Sequence, residues 1–162
     1  VPLFVRSQHH RHRTWSYNEI SRRYTDENLK FYEPDSFRTQ HKSNRQASMT
    51  DSINPVIYPD WDDSTCGIKV AEAVKNHNVN SVVLYNKAMR AGVCREQARG
   101  ILPQSLYTEY YGTVNLNNLL KFIDLRTHEG AQWEIQKVAE ACLEIATDLW
   151  PETVNAYKSI RQ

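Results

Sequence analysis

The sequence predicts an α+β domain, helix-rich in its C-terminal half. Three observations carry that class. Apolar residues recur at helical spacing from Val70 onward, over Leu116 to Ile123 and over Ala131 to Leu149. One run, Ser105 to Val114, has the Tyr, Thr and Val content of a strand. A chain of 162 residues also has room for one real core but hardly for two, so 1–162 reads as a single domain.

The elements follow in order. Val1 to Val5 is short and apolar and is expected to start a helix running into His10. Leu29 to Arg38, with aromatics and Pro34, reads as an irregular or edge strand. Gln40 to Asp63 is polar, carries Pro55 and Pro59, and reads as a long surface excursion. Ser64 to Arg90 has helix-forming composition, weakened in its middle by Asn76 to Asn80, and Gly92 breaks it. Cys94 to Ile101 is a short helix stopped by Pro103, with Arg95 and Arg99 four apart on one face. After the strand at Ser105 to Val114, Asn115 or Asn117 caps a helix that delivers Arg126 to its C-terminal end. Ala131 to Leu149 is the strongest helix, with Ile135, Val138, Cys142, Ile145 and Leu149 on a stripe expected to be core or subunit interface. Pro151 opens a last short helix.

Composition narrows the classes of function. The net charge is +1, so no global field drives the chain onto nucleic acid or a membrane. The imbalance is local: residues 1 to 24 hold five arginines against Glu19 alone, while Asp51 to Cys66 hold four aspartates and no Lys or Arg. Cys66, Cys94 and Cys142 form no CxxC pair, which argues against a disulfide framework or a zinc ribbon and favours a reducing, cytoplasmic home. No apolar run approaches a membrane span, and there is no signal peptide pattern. GxGxxG and GxxxxGK[ST] are absent, so neither a Rossmann nor a P-loop cradle is expected.

The informative stretch is Gln8 to Tyr24, which ends in RHRTWSYNEISRRY. Arg11, Arg13, Arg22 and Arg23, together with His9, His10 and His12, face one acid, a cluster that calls for an anionic guest; guanidinium forks suit phosphate oxygens and the carbonyl edges of flat heterocycles. The histidines have no carboxylate or cysteine at ligand spacing, so no metal site is expected. Ser16 to Glu19 has the form of a helix capping box, which would put Glu19 and Arg23 on one helical face. An extended segment would instead line up Glu19, Ser21 and Arg23. The sequence leaves both open.

These residues resemble the signature of the flavin-dependent thymidylate synthases, RHR-x7-S, in its fuller form RHRxxSxNExSxRY. Arg11, His12, Arg13, Ser16, Asn18, Glu19, Ser21, Arg23 and Tyr24 occupy its fixed positions. Ala91 to Pro103, Tyr107 to Asn115 and Leu125 to Ile135 resemble later blocks of that family in the same order. The resemblance implies a mainly antiparallel sheet packed with helices, and a homotetramer with sites at subunit junctions. It implies reductive methylation of dUMP to dTMP, with FAD as cofactor and NADPH and methylenetetrahydrofolate as co-substrates. It implies too that the chain is the C-terminal two-thirds or more of the catalytic domain, with an N-terminal part missing. By the same resemblance Arg11, His12 and Arg13 contact flavin, together with Glu19 and Asn115. Gln8, Arg11, Glu19, Ser21, Arg23 and Arg99 bind dUMP, and Arg126 sits against the pyrimidine as the catalytic cation. Asn117, Lys121 and Gly130 depart from the common pattern, where other members often have Arg, Asn and His. The rival readings are a truncated, inactive relative and a nucleic-acid-binding module using the Gln8 to Tyr24 patch, whose affinity would fall steeply with salt.

Overall fold

A computed structural model describes residues 1–21, 24, 29–45, 47–58 and 66–160. The chain forms two compact units. The first comprises Val1–Arg6, Glu19–Thr39 and Met49–Tyr110; the second comprises Ser7–Asn18, Gln40–Ser48 and Tyr111–Gln162. In chain order the elements are α1 (Leu3–His9), β1 (Ser16–Glu19), β2 (Phe37–Gln40), β3 (Ser48–Ile53), β4 (Val56–Ile57) and β5 (Ile68–Lys69). They continue with α2 (Val70–Arg90), α3 (Arg95–Ala98), a 3-10 turn (Arg99–Ile101), β6 (Tyr110–Thr113), α4 (Leu116–Thr127), α5 (Trp133–Leu149) and α6 (Pro151–Ile160). The class is α+β as expected, with the strands in three two-stranded sheets among the described residues: β1 with β6, β2 with β3, and β4 antiparallel to β5.

The first unit is built around α2. The polar Asn76 to Asn80 stretch does not interrupt this helix, because its one inward polar group is fully used. Asn78, buried, donates Nδ2 to Glu33 Oε1 at 2.8 Å and accepts from Ser105 Oγ at 3.0 Å. A buried amide with both ends satisfied costs little, so propensity is overridden. The helix stops where Gly92 adopts a φ of 93°, open to a residue without Cβ. Tyr85, Ala98, Leu102 and Leu106 form the buried core here, with Leu3, Leu29, Phe31, Val82 and Met89 packed against it.

Two expectations are corrected in this unit. Ser105 to Val114 is not one strand. Leu106 and Tyr107 make only isolated antiparallel bridges, to Phe31 and Pro2, and regular pairing begins at Tyr110. Pro2 cannot donate to a ladder, and this limits the pairing at that end. The polar excursion from Gln40 is also more ordered than composition suggests, since β3 and β4 fall within it. Its residues 59 to 63 lie outside the described residues.

The second unit holds α4, α5 and α6, with Leu120, Phe122, Ile123, Ile135, Ala139, Ala146 and Val154 buried. The α5 stripe is rotated from the expected one. Ile135, Ala139 and Ala146 are its buried residues, whereas Ile145 and Leu149 are 59% and 61% exposed. Alanines let neighbouring helices approach closely, so the small side chains take the inner face. Asn115 caps α4, accepting from Asn118 N at 3.0 Å.

The capping-box alternative at Ser16 gives way to the extended one. Ser16–Glu19 is β1, paired with β6. Side-chain packing favours the strand: the Tyr17 ring lies parallel to Trp15 at 6.1 Å and tilted on His10 at 4.0 Å. Gly112 on β6 leaves room for them, since a Cβ there would stand 3.0 Å from the Trp15 ring. Among the described residues no helix is long and apolar enough to cross a membrane.

Candidate functional site

In the first unit a cleft of about 210 Å3 is lined by Leu3, Arg6, Glu19, Ile20, Ser21, Arg99, Leu102, Leu106 and Thr108. Glu19 is the last residue of β1, and the bond from Ile20 N to Glu109 O, at 3.0 Å, extends the pairing one step beyond it. Thr108, buried, donates Oγ1 to Glu19 Oε1 at 2.8 Å, and Arg6 Nε stands 3.2 Å from the same oxygen. One oxygen of the carboxylate is thus pinned by a hydroxyl and a guanidinium. Arg99 reaches the cleft from the 3-10 turn and, among the described residues, donates its Nε to Glu96 O at 3.2 Å. Of the pair Arg95 and Arg99, it is Arg99 that lines this cleft.

In the second unit the end of α1, the loop after it and the last turn of α4 supply the polar groups. Arg126 donates Nε to His12 Nε2 at 3.1 Å and Nη2 to the carbonyl of Gln8 at 3.4 Å. Gln8 in turn donates its amide to Gln132 Oε1, and Gln132 donates Nε2 to Glu134 Oε2 at 2.9 Å. Beneath these bonds lies an aromatic layer: His9 stacks on Phe122 at 4.5 Å and meets Trp15 edge-on at 4.4 Å, while His12 meets Phe122 edge-on at 4.9 Å. The Tyr17 hydroxyl donates to the carbonyls of His9 and His12 at 2.7 and 3.2 Å, fixing the loop backbone. Arg126 also borders an open groove of about 740 Å3, with Asn44, Lys121, Asp124, His128 and Gly130 among its lining.

Burial sets the protonation of this layer. His9 is pushed down to about 4 by burial first, then by His12, His10 and Arg126. His12 is lowered by burial and by Arg126. A neutral imidazole has an acceptor nitrogen, which is what Arg126 Nε requires of it. Burial raises the Tyr17 phenol to about 12, keeping it a donor. Burial also raises the Cys142 thiol, away from the reactive thiolate.

The expected site residues therefore gather in two places. Glu19, Ser21 and Arg99 share the first cleft; Gln8, His12 and Arg126 share the second network. Arg11 and Arg13 are exposed on the loop beside His12, and Asn115 is exposed with its Oδ1 engaged in the cap. Arg23 lies outside the described residues. Spacing did not reveal Arg6, Thr108, Gln132 or Phe122, because each acts on a residue remote in sequence. Among the described residues no group of three or more His, Cys, Asp or Glu is placed to hold a metal ion.

Residues 1–152 match the model of the family described as thymidylate synthase complementing protein. The chain belongs to that family. A flavin-dependent thymidylate synthase of Aquifex aeolicus is 44% identical over 145 residues, covering 89% of this chain and 42% of the relative. One of Thermosipho africanus is 36% identical over 157 residues, covering 97% of this chain and 64% of the relative. The chain thus spans well under two thirds of the first of these and just under two thirds of the second. Among solved structures, the UMP/dUMP methylase PolB of Streptomyces cacaoi, bound with 5-Br UMP, superposes with a TM-score of 0.78 at 30% identity. That match covers 98% of this chain and 70% of the methylase chain. As a family member with this neighbour, the chain carries the RHR-x7-S signature on the loop from Arg11, through β1 and to Ser21 just beyond it.

Proposed function

We propose that this family member acts as a flavin-dependent thymidylate synthase, converting dUMP to dTMP with methylenetetrahydrofolate as carbon donor. One observation carries the reading. Arg11, Arg13, Arg99 and Arg126 make no ion pair with a carboxylate among the described residues, although the chain holds as many as 19 acids. Cations left unneutralised by their own fold suit an anionic ligand. A nucleoside monophosphate and a dinucleotide cofactor are both such ligands.

The residues fit FAD by the chemistry of their donors. Arg11, Arg13 and the neutral His12 would hold it, with Asn115 Nδ2 still available once Oδ1 has capped α4. When bound, FAD supplies the hydride, and NADPH is the reductant that restores it. The chain's own residues do the rest. Glu19, Ser21, Arg23 and Arg99 would bind the nucleotide, with Gln8 and Arg11. Arg126, aimed by His12 and the Gln8 carbonyl, places a fixed cation against the pyrimidine, where it stabilises negative charge developing on the ring. No cysteine nucleophile is required, which agrees with the raised Cys142 thiol.

A homotetramer in the cytoplasm completes the reading. Val79, Val83 and Leu84 on α2 and Ile145 and Leu149 on α5 are exposed apolar side chains of the kind subunit contacts cover. Cys66 and Cys94 are exposed free thiols, suited to a reducing compartment. The test is dUMP-dependent NADPH oxidation by the purified, FAD-supplemented protein, with dTMP measured as product. Turnover that requires both dUMP and folate supports the reading; a protein that retains no flavin and makes no dTMP overturns it.

A further inference from the structure

The groove of about 740 Å3 in the second unit carries a charge that its own walls leave unbalanced. Lys121, Asp124, Leu125 and Arg126 line it from α4, and Gly130 and Ala131 line it from the turn that follows. Lys121 and Asp124 stand three apart on the helix, a spacing at which opposite charges ordinarily pair. Among the described residues no ion pair joins them. Asp124 is engaged elsewhere: Tyr157, on α6, donates its hydroxyl to Asp124 Oδ2 at 2.6 Å. The Lys121 ammonium is therefore an exposed cation on the groove wall, at a position where the sequence departs from the pattern of its family.

Lys121 and Leu125 are one turn apart on one helical face, about 6 Å along the axis, so the cation stands close to the Arg126 end of the groove. Hydride transfer to a pyrimidine held against Arg126 requires the flavin ring to lie beside that pyrimidine. Gly130 and Ala131 give this end of the groove a wall with little side chain, which suits a flat ring. When NADPH gives up its hydride, a C–H bond of the nicotinamide breaks, an N–H bond forms on the flavin, and NADP+ leaves. The two electrons and one proton so transferred leave the flavin ring with one negative charge. We propose that Lys121 tunes the cofactor: its ammonium lies beside the flavin ring and favours the reduced, anionic ring over the oxidised, neutral one. Tyr157 is a positioning residue that keeps Asp124 from cancelling this charge. The proposal rests on the reading of FAD as cofactor, and adds the residues that set how readily it is reduced.

The test measures the reduction midpoint of FAD bound to the protein, read by absorbance at equilibrium with a reference dye, in the wild type and in Lys121→Met, Lys121→Arg and Tyr157→Phe. Lys121→Met should weaken binding of reduced relative to oxidised FAD roughly threefold to tenfold, which lowers the midpoint by about 15 to 30 mV for a two-electron couple. Lys121→Arg keeps the charge and should stay near the wild type. Tyr157→Phe frees Asp124 to pair with Lys121 and should lower the midpoint in the same direction by less; a midpoint equal to that of the wild type would remove Tyr157 from the account. Added salt should narrow the gap between the wild type and Lys121→Met, since an exposed cation is screened. An unchanged midpoint in Lys121→Met overturns the proposal while leaving the thymidylate synthase reading in place. Equal loss of oxidised and reduced FAD in that variant also overturns it, and makes Lys121 a contact for the cofactor phosphates. A wild type that retains no flavin overturns that reading and this inference together.

Discussion

The two units treat charge in opposite ways. In the first, the one acid of the signature, Glu19, is held by its own fold, with Arg6 and Thr108 on a single oxygen. In the second, the central cation Arg126 has, among the described residues, neutral partners: a histidine nitrogen and a main-chain carbonyl. A pinned carboxylate is a binding wall that needs no ligand to be stable. A guanidinium supported by neutral acceptors keeps its full field available for a substrate. On the proposed function, the first unit would offer a preorganised grip on the nucleotide and the second a cation for the chemistry.

The largest effect should follow from breaking the second arrangement. Arg126→Ala should lower kcat by about a hundredfold or more, as losses of preorganised transition-state donors do, while the protein stays yellow with flavin. Steady-state dTMP formation alongside the flavin spectrum checks both halves.

The aromatic layer beneath Arg126 makes the second unit acid-sensitive. His9 is held neutral in the fold at about 4 against an ordinary value of 6.5. The unfolded chain therefore takes up the proton first, and this stabilisation is full above pH 6.5 and is lost as the pH falls toward 4. His12, also lowered, adds in the same direction. Melting temperature measured between these limits should fall with pH. His9→Phe, which keeps a ring against Phe122, should flatten that slope.

A smaller effect sharpens the contrast from the other side. Thr108→Val removes one bond to Glu19 and leaves the Arg6 contact. Apparent dUMP affinity should weaken roughly fivefold to tenfold with kcat nearly unchanged, as expected for one hydrogen bond that aligns a binding group. A fall in kcat of the Arg126 kind would place Glu19 in the chemistry instead. The smallest effect belongs to Asn115. Asn115→Ala should cost about 1 kcal/mol through the lost α4 cap, and Asn115→Asp should restore it. Flavin retention measured in Asn115→Asp then isolates the side-chain NH2 as a cofactor contact.

Much of this was legible in the chain. Asn115 as a cap, Gly92 as a stop and Pro151 as a start are local chemistry, and the ends they mark are where the residues put them, although α2 begins at Val70, after β5, and not at Ser64. The signature itself is contiguous, so its residues could be named at once. What spacing could not give is tertiary. Asn78 looks like a helix breaker until Glu33 and Ser105 are seen bonded to it. Ser16 to Glu19 reads equally as a cap or a strand until β6 and Gly112 are in place. Arg6 and Thr108 meet Glu19 only after folding, because the bond from Thr108 spans 89 positions. The α5 stripe matches the core only in part, with Ile135 inside and Ile145 and Leu149 exposed: periodicity finds a helix but weighs large apolar residues over Ala139 and Ala146, which face inward.

The most direct test of the central claim, that unneutralised guanidinium groups bring a uridylate and a flavin together, is a titration of dUMP into the FAD-loaded protein followed by flavin absorbance. The account predicts a saturable change in the flavin band that is lost in Arg126→Ala and weakened by added salt. A band indifferent to dUMP at every concentration would contradict it.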